Sequence, residues 1–220
     1  MSQSRKTGKS KRKGIILNHD NLRQAEDFLR LADPVLGRVI DLAGPCLLCE
    51  TQNDNPFEQL CNAIIGQQLS VKAAHTIRGR VEELIGCFEP EPVLAADEEK
   101  LRACGLSRPK IRYVRALAAM VKAGELRIDD LSGLPSDDVL AELLKVPGIG
   151  RWTAEMFLIF NLKHSNVLAL ADAGLQRAVK KLYGPKATLE KAGKKWVPYC
   201  SVASWYLWQS LDANLFEVTS

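Results

Sequence analysis

"LLKVPGIGRWTAE", residues 143–155, decides the fold. Upstream, Val139, Leu140, Leu143 and Leu144 recur on one helical face, with Ser136 placed to cap the segment; downstream, 152–160 is a second apolar run. Pro147 stops the first helix, two glycines in three residues turn the chain, and a helix restarts at once. The stretch reads as a hairpin between two helices.

Working outward, almost every periodic segment reads as helix, and alternation of strand type is absent. Asp33-Pro34 and Asn55-Pro56 each place a capping residue before a proline at the first helical position. The spacing predicts helices over 20–31, 34–43, 56–66, 70–85, 97–103, 108–123, 136–145, 151–162, 173–183, 187–196 and 199–213, with 167–171 as a buried connector. The class is all-α, with no repeat of fixed period.

At 220 residues and 46% hydrophobic content the chain is long enough to bury a core. No apolar run approaches the roughly twenty residues that a bilayer span requires, and the N-terminus lacks the apolar stretch of a secretory signal. The expectation is an intracellular protein with no membrane contact. Six cysteines are scattered, Cys61 and Cys87 in a helix and at a helix end, so a disulfide framework is not predicted. Cys46 and Cys49 have C-x-x-C spacing, but no second pair or nearby histidine completes a metal site. The net charge of +4 hides an asymmetry: residues 1–14 hold six Lys or Arg and no acid, leaving 24 basic against 26 acidic residues in the rest. Such an arm is too polar to fold alone and suits a polyanion such as nucleic acid, although a solubilising tail has the same composition.

Four stretches carry candidate chemistry. In the hairpin, the glycines of Pro147–Gly150 can take positive φ and let another backbone approach, while the amides opening the next helix present positive partial charge suited to phosphate. A plain tight turn has the same sequence. Asp172, ahead of an apolar-periodic run, reads as a helix N-cap; facing a cleft, it would also stabilise a developing cation or orient water. Gln67-Gln68-Leu69 forms a junction between two helices, either a polar loop or a tip that is pushed between bases when DNA is bent. Arg108, Arg112 and Arg115, with Lys110 beside them, form a basic stripe of the kind most often found on a solvated helix face. Trp196, Trp205 and Trp208 crowd the C-terminal helices, where core packing is the default role.

With "FEQLCNAIIGQQLS", "LLKVPGIGRWTAE", "LADAGLQRAV" and "WVPYCSVASWYLW" in this order, the chain resembles the helix-hairpin-helix (HhH-GPD) DNA glycosylases, and most closely their alkylpurine, 3-methyladenine type II branch, from about residue 30 onward. The resemblance implies two helical lobes, one from 16–55 plus 165–220 and one from 56–164 carrying the hairpin, with 1–15 as a basic arm and the active site in the cleft. It implies Asp172 as the catalytic carboxylate. Gly148, Ile149, Gly150 and Thr153 match the DNA-anchoring hairpin, and Gln68 the wedge that fills the gap left by a flipped nucleotide. Trp152, Trp208 and Met156 fall at base-pocket positions. The carbonyls of Leu144, Val146 and Ile149 match those that hold a structural Na+ or K+ in such proteins. The implied reaction is hydrolysis of the N-glycosidic bond of a flipped alkylated purine in double-stranded DNA, leaving an abasic site, as in base excision repair. The protein would act as a monomer, wherever the cell keeps its DNA: bacterial cytoplasm and nucleoid, or a nucleus.

Departures sharpen this. Trp152 stands where bifunctional relatives carry a lysine nucleophile, so no lyase step is expected. Only Cys200 lies where iron-sulfur relatives have four closely spaced cysteines, so no cluster is expected, and no cofactor is required. Ala171 replaces a frequent acid, Cys200 a frequent arginine and Met156 a pocket aromatic, implying a roomier pocket. A non-catalytic reader of damaged or distorted DNA, and a glycosylase for oxidised or mismatched bases, are the competing readings.

Overall fold

Short polar side chains cap several of the helices. The computed structural model describes residues 14–50 and 55–216, so all but two residues of the basic arm lie outside the described residues. Asn18 caps α1 (His19–Ala32) through a reciprocal box with Asn21, and the Asp33 carboxylate accepts the Val35 and Leu36 amides at the start of α2 (Pro34–Ala43). Asn55 caps α3 (Pro56–Gly66) and Ser70 caps α4 (Val71–Ile85). Then come α5 (Pro90–Ala95), α6 (Glu98–Ala103), α7 (Arg108–Lys122), a 3-10 turn at Ile128–Gly133, α8 (Ser136–Leu143), α9 (Arg151–Phe160), α10 (Ala173–Tyr183), α11 (Leu189–Gly193) and α12 (Cys200–Asp212). The one β-bridge among the described residues pairs Ile16 with His164.

Two sets of helices pack among themselves. In one, α1 and α2 pack together and against α12, which also contacts α10. In the other, α3 contacts α4, α7 and α9, α5 and α6 lie on α7, and α8 packs on α9. The segment 163–165 joins them: Leu17 N–H donates to Lys163 O at 2.7 Å, and Ser165 N–H to Ile15 O at 2.9 Å. Core residues include Leu29, Leu36, Ile40, Leu60, Ile64, Leu117, Leu143, Leu158, Trp196 and Tyr206. Each leucine or isoleucine among them contributes about 1.5–3 kcal/mol by leaving water.

Some expectations need correction. Ser136 does not cap α8: the N-cap is Pro135, and Ser136 Oγ lies 2.8 Å from His164 Nδ1 instead. The segment expected at 187–196 is helical only over Leu189–Gly193, and α5 and the 3-10 turn were not anticipated. Arg115 is not simply solvated, because it donates to Ala96 O. The connector 167–171 is irregular, with Val167 and Ala169 buried and Leu170 exposed.

Candidate active site

The hairpin between α8 and α9 requires its two glycines for different reasons. Gly148 has φ +87°, and a Cβ there would lie 2.3 Å from Tyr113 Cγ on α7, so both backbone and packing exclude a side chain. Gly150, expected to share that freedom, sits instead at φ −87°, ψ 170°, an extended N-cap that any residue adopts. Nothing lies within 4 Å of a Cβ built on it. The start of α9 is therefore open to an approaching backbone, with unpaired first-turn amides behind it. Ile149 and Thr153 are buried beneath this turn. Val146 O accepts the Ile149 amide at 3.1 Å, and Gly148 O accepts Gln67 Nε2 at 2.8 Å.

Asp172 is the helix N-cap that its sequence position predicts. Oδ1 caps α10 by accepting Leu175 N–H at 2.8 Å, and also accepts Trp208 Nε1–H from α12 at 3.2 Å. Oδ2 accepts Trp152 Nε1–H from the first turn of α9 at 2.8 Å. Three donors from three helices fix the orientation of a carboxylate that is 9% exposed. Gly174 leaves room for this grouping, since a Cβ there would meet Asp172 Oδ1 at 3.0 Å and the Trp208 ring at 3.5 Å.

The comparison with Asp33 separates site from scaffold. Asp33 also caps a helix and also accepts an indole, from Trp196 at 3.0 Å, together with Tyr183 Oη–H at 2.9 Å. There the carboxylate and its indole are enclosed, Asp33 1% and Trp196 0% exposed, with Tyr183 half-buried beside them. Around Asp172, Trp152 is 49% exposed, and Trp208 is tilted against half-exposed Phe160 with ring centroids 5.5 Å apart. Edge-on hydrogen bonding leaves a fixed aromatic surface open beside a carboxylate. Met156, one turn after Trp152, is half-buried against the core.

Sequence reasoning missed several members of this region. Glu155 is 3% exposed; Oε1 accepts Arg151 Nε–H at 2.9 Å, while Oε2 is buried without a partner. Burial pushes its carboxyl above the ordinary range; Arg151 pulls it back, and the charge of Asp172 adds to the rise. An acid at i+4 from Arg151 was readable as a helical pair, but not its burial. Phe160 falls within the apolar run 152–160 with nothing in the sequence to mark it, and Gln67 and Gly148, bonded to each other, lie in different interhelical turns 81 residues apart. Gln68 itself is exposed at the α3–α4 junction in the left-handed region, φ +58°.

The cysteines sit elsewhere. All six are free, Cys46 and Cys49 buried with thiols pushed up by burial, that of Cys46 to about 12. No group of three or more His, Cys, Asp or Glu among the described residues is arranged to hold a metal ion. No helix among them is long and apolar enough to cross a membrane.

Comparison with known proteins adds to this geometry. Residues 61–198 match the model of the HhH-GPD superfamily of base excision DNA repair proteins. YfjP of Bacillus subtilis is 32% identical over 169 residues, 71% of this chain but 59% of its own length. Among solved structures, a DNA-3-methyladenine glycosidase from Bacillus halodurans superposes with a TM-score of 0.79 at 38% identity, covering 87% of this chain and 90% of that one. A 3-methyladenine DNA glycosylase of Schizosaccharomyces pombe, Mag1, in complex with abasic DNA, gives a TM-score of 0.74 at 30% identity, covering 86% and 97%.

Proposed function

Because the chain belongs to the HhH-GPD superfamily of base excision DNA repair proteins, we propose that it is a monofunctional, monomeric DNA glycosylase that hydrolyses the N-glycosidic bond of flipped alkylated purines. The observation that carries this reading is the Asp172 cluster, a buried carboxylate oriented by Trp152 and Trp208 beside an exposed aromatic surface. A base inside a duplex is unreachable, so the nucleotide is flipped out, at least cost where alkylation has weakened stacking or pairing. Methylation at ring N3 or N7 makes the purine cationic, which favours the faces of Trp152 and Trp208 and makes the base a good leaving group. A general acid is then dispensable, and Asp172 acts on the sugar side. A carboxylate has about four lone-pair positions, of which the three donors take two on Oδ1 and one on Oδ2. The remaining position on Oδ2 orients water, and the carboxylate's charge stabilises the oxocarbenium-like sugar.

In this reading DNA is held by the amides of the hairpin and first turn of α9 at Gly148–Thr153, which grip phosphate without reading sequence. The helices before residue 56 and after 164 form one lobe, and 56–164 the other, with the cleft between. Gln68 enters the stack, and Met156 widens the pocket. The carbonyls of Leu144, Val146 and Ile149 are neutral oxygen donors suited to Na+ or K+, which would add positive charge beneath the phosphate; Val146 O keeps a second lone pair after accepting the Ile149 amide. No iron-sulfur cluster or other cofactor enters the reaction, and with Trp152 in place of a lysine there is no Schiff base and no strand cleavage.

The test is chromatographic release of free base from methylated duplex DNA by the protein and its Asp172→Asn variant. The protein is expected to free 3-methyladenine or 7-methylguanine; the variant is expected to bind DNA and free neither. Full activity in the variant removes Asp172 from the chemistry. Binding without base release by either protein replaces an enzyme with a reader of damaged DNA.

A further inference from the structure

The α3–α4 junction and the hairpin are 81 residues apart in sequence, yet they are bolted together. Gln67 Nε2 donates to Gly148 O at 2.8 Å, linking the residue before the exposed tip to the residue at the apex of the hairpin. Gly148 is immobilised from the other side by Tyr113 of α7, whose ring occupies the space where a Cβ would be. From the same helix, one turn earlier, Lys110 Nζ donates to Ile65 O and to Gln67 O, each at 2.7 Å. Those carbonyls belong to the last turn of α3 and its C-cap, which have no intrahelical partners of their own. Burial lowers the Lys110 pKa, as expected for an ammonium withdrawn from water to serve these carbonyls. One residue beyond, Gln68 stands exposed at φ +58°, a conformation that non-glycine residues hold only when their surroundings impose it.

We propose that Gln67 and Lys110 are positioning residues, forming a strut that fixes Gln68 relative to the phosphate-gripping hairpin so that holding the backbone and entering the base stack are one rigid action. The proposal rests on the reading of Gln68 as the wedge. A tip on a free loop would order itself as it entered the stack, and the cost would fall on the flipping step. Here the ordering is built in by two side chains whose hydrogen bonds go to backbone carbonyls of this chain. Lys110 is absorbed by this role rather than by the basic stripe beside which it lies in sequence.

The experiment measures single-turnover base release from two duplexes, with 7-methylguanine opposite cytosine or opposite an abasic position, where flipping breaks no pair and leaves no orphan base. Gln67→Leu and Lys110→Met are each expected to slow the paired substrate about tenfold, the scale of one lost hydrogen bond to a charged or constrained group. DNA affinity and the rate on the unpaired substrate are expected to stay within about twofold, and Lys110→Arg to restore most of the paired rate. Equal slowing on both substrates would make the strut merely structural, and no slowing on the paired one would remove it. Gln68→Ala, run alongside, separates the two levels. If it shows the paired-against-unpaired contrast while the strut variants do not, the wedge stands and the strut falls; if it shows no contrast, the wedge reading falls and takes the strut with it. Thermal denaturation of each variant confirms that it is folded, and Gln67→Ala replaces Gln67→Leu if the larger side chain does not fit.

Discussion

A motif of two glycines conceals two physical requirements. Gly148 is held at positive φ against Tyr113, whereas Gly150 is extended with open space before it. Gly148→Ala must therefore strain the backbone and displace a ring, a cost of about 1–3 kcal/mol in stability. Gly150→Ala costs the folded state little but, on the proposed function, puts a methyl group in the open space where the DNA backbone would lie. Urea denaturation and DNA titration on both variants check this: a lowered midpoint is expected only for Gly148→Ala. Weaker DNA binding at wild-type stability is expected for Gly150→Ala, and unchanged binding there would mean that the hairpin does not meet the phosphates. The same separation applies to aspartates. Asp33 and Asp172 each cap a helix and each accept an indole N–H, but Asp172 accepts two indoles, one of them 49% exposed, where Asp33 accepts one that is fully enclosed.

At the scale of elements, legibility followed locality. Helices whose caps reach two or three residues ahead, from Asp33, Asn55, Ser70, Asp97 and Asp172, were readable because the hydrogen bond lies within the sequence window. Helix α5 was hidden because Pro90 and Pro92 both fall in its first turn, where they are tolerated although they resemble a loop, and the 3-10 turn is too short to show a period. Ser136 was misread because its partner, His164, is 28 residues away. The Trp152–Asp172 and Gln67–Gly148 bonds were invisible for the same reason. The His164 contact carries a prediction about the junction. His164 is 1% exposed, its Nε2 has no partner, and burial lowers its pKa below the ordinary 6.5. The unfolded chain therefore binds a proton that the folded chain refuses as pH falls through 6.5 toward the depressed value, and stability drops across that window. Urea midpoints at pH 7.5 and 5.5 are expected to differ more for the native chain than for a His164→Gln variant; an equal difference would place the titration elsewhere.

For the whole molecule, the decisive quantity is where the charge lies rather than its sum. Beyond the basic arm, residues 173–195 hold seven Lys or Arg against one acid. Three of them, Arg177, Lys180 and Lys181, line one surface trough with Ala173, the residue after Asp172. Residues 14–172 and 196–220 are correspondingly acidic, so a polyanion is drawn toward particular surfaces and not to the molecule at large. Each phosphate neutralised releases counterions and adds about 0.9 to the slope of log affinity against log salt concentration. An arm that lies along DNA with most of its six charges would contribute several units of slope while adding nothing to the chemistry proposed at Asp172. Removing residues 2–14 spares Ile15 and Leu17, which pair with 163–165, so the fold keeps its junction. The shortened chain is expected to bind methylated and unmodified duplex with a shallower salt dependence, in equal measure for both, and to release base at the wild-type single-turnover rate once saturated. A slope unchanged by the deletion would make the arm a bystander and assign the electrostatic attraction to the hairpin and the face of α10. A reduced single-turnover rate at saturation would instead bring the arm into the step where the nucleotide leaves the helix.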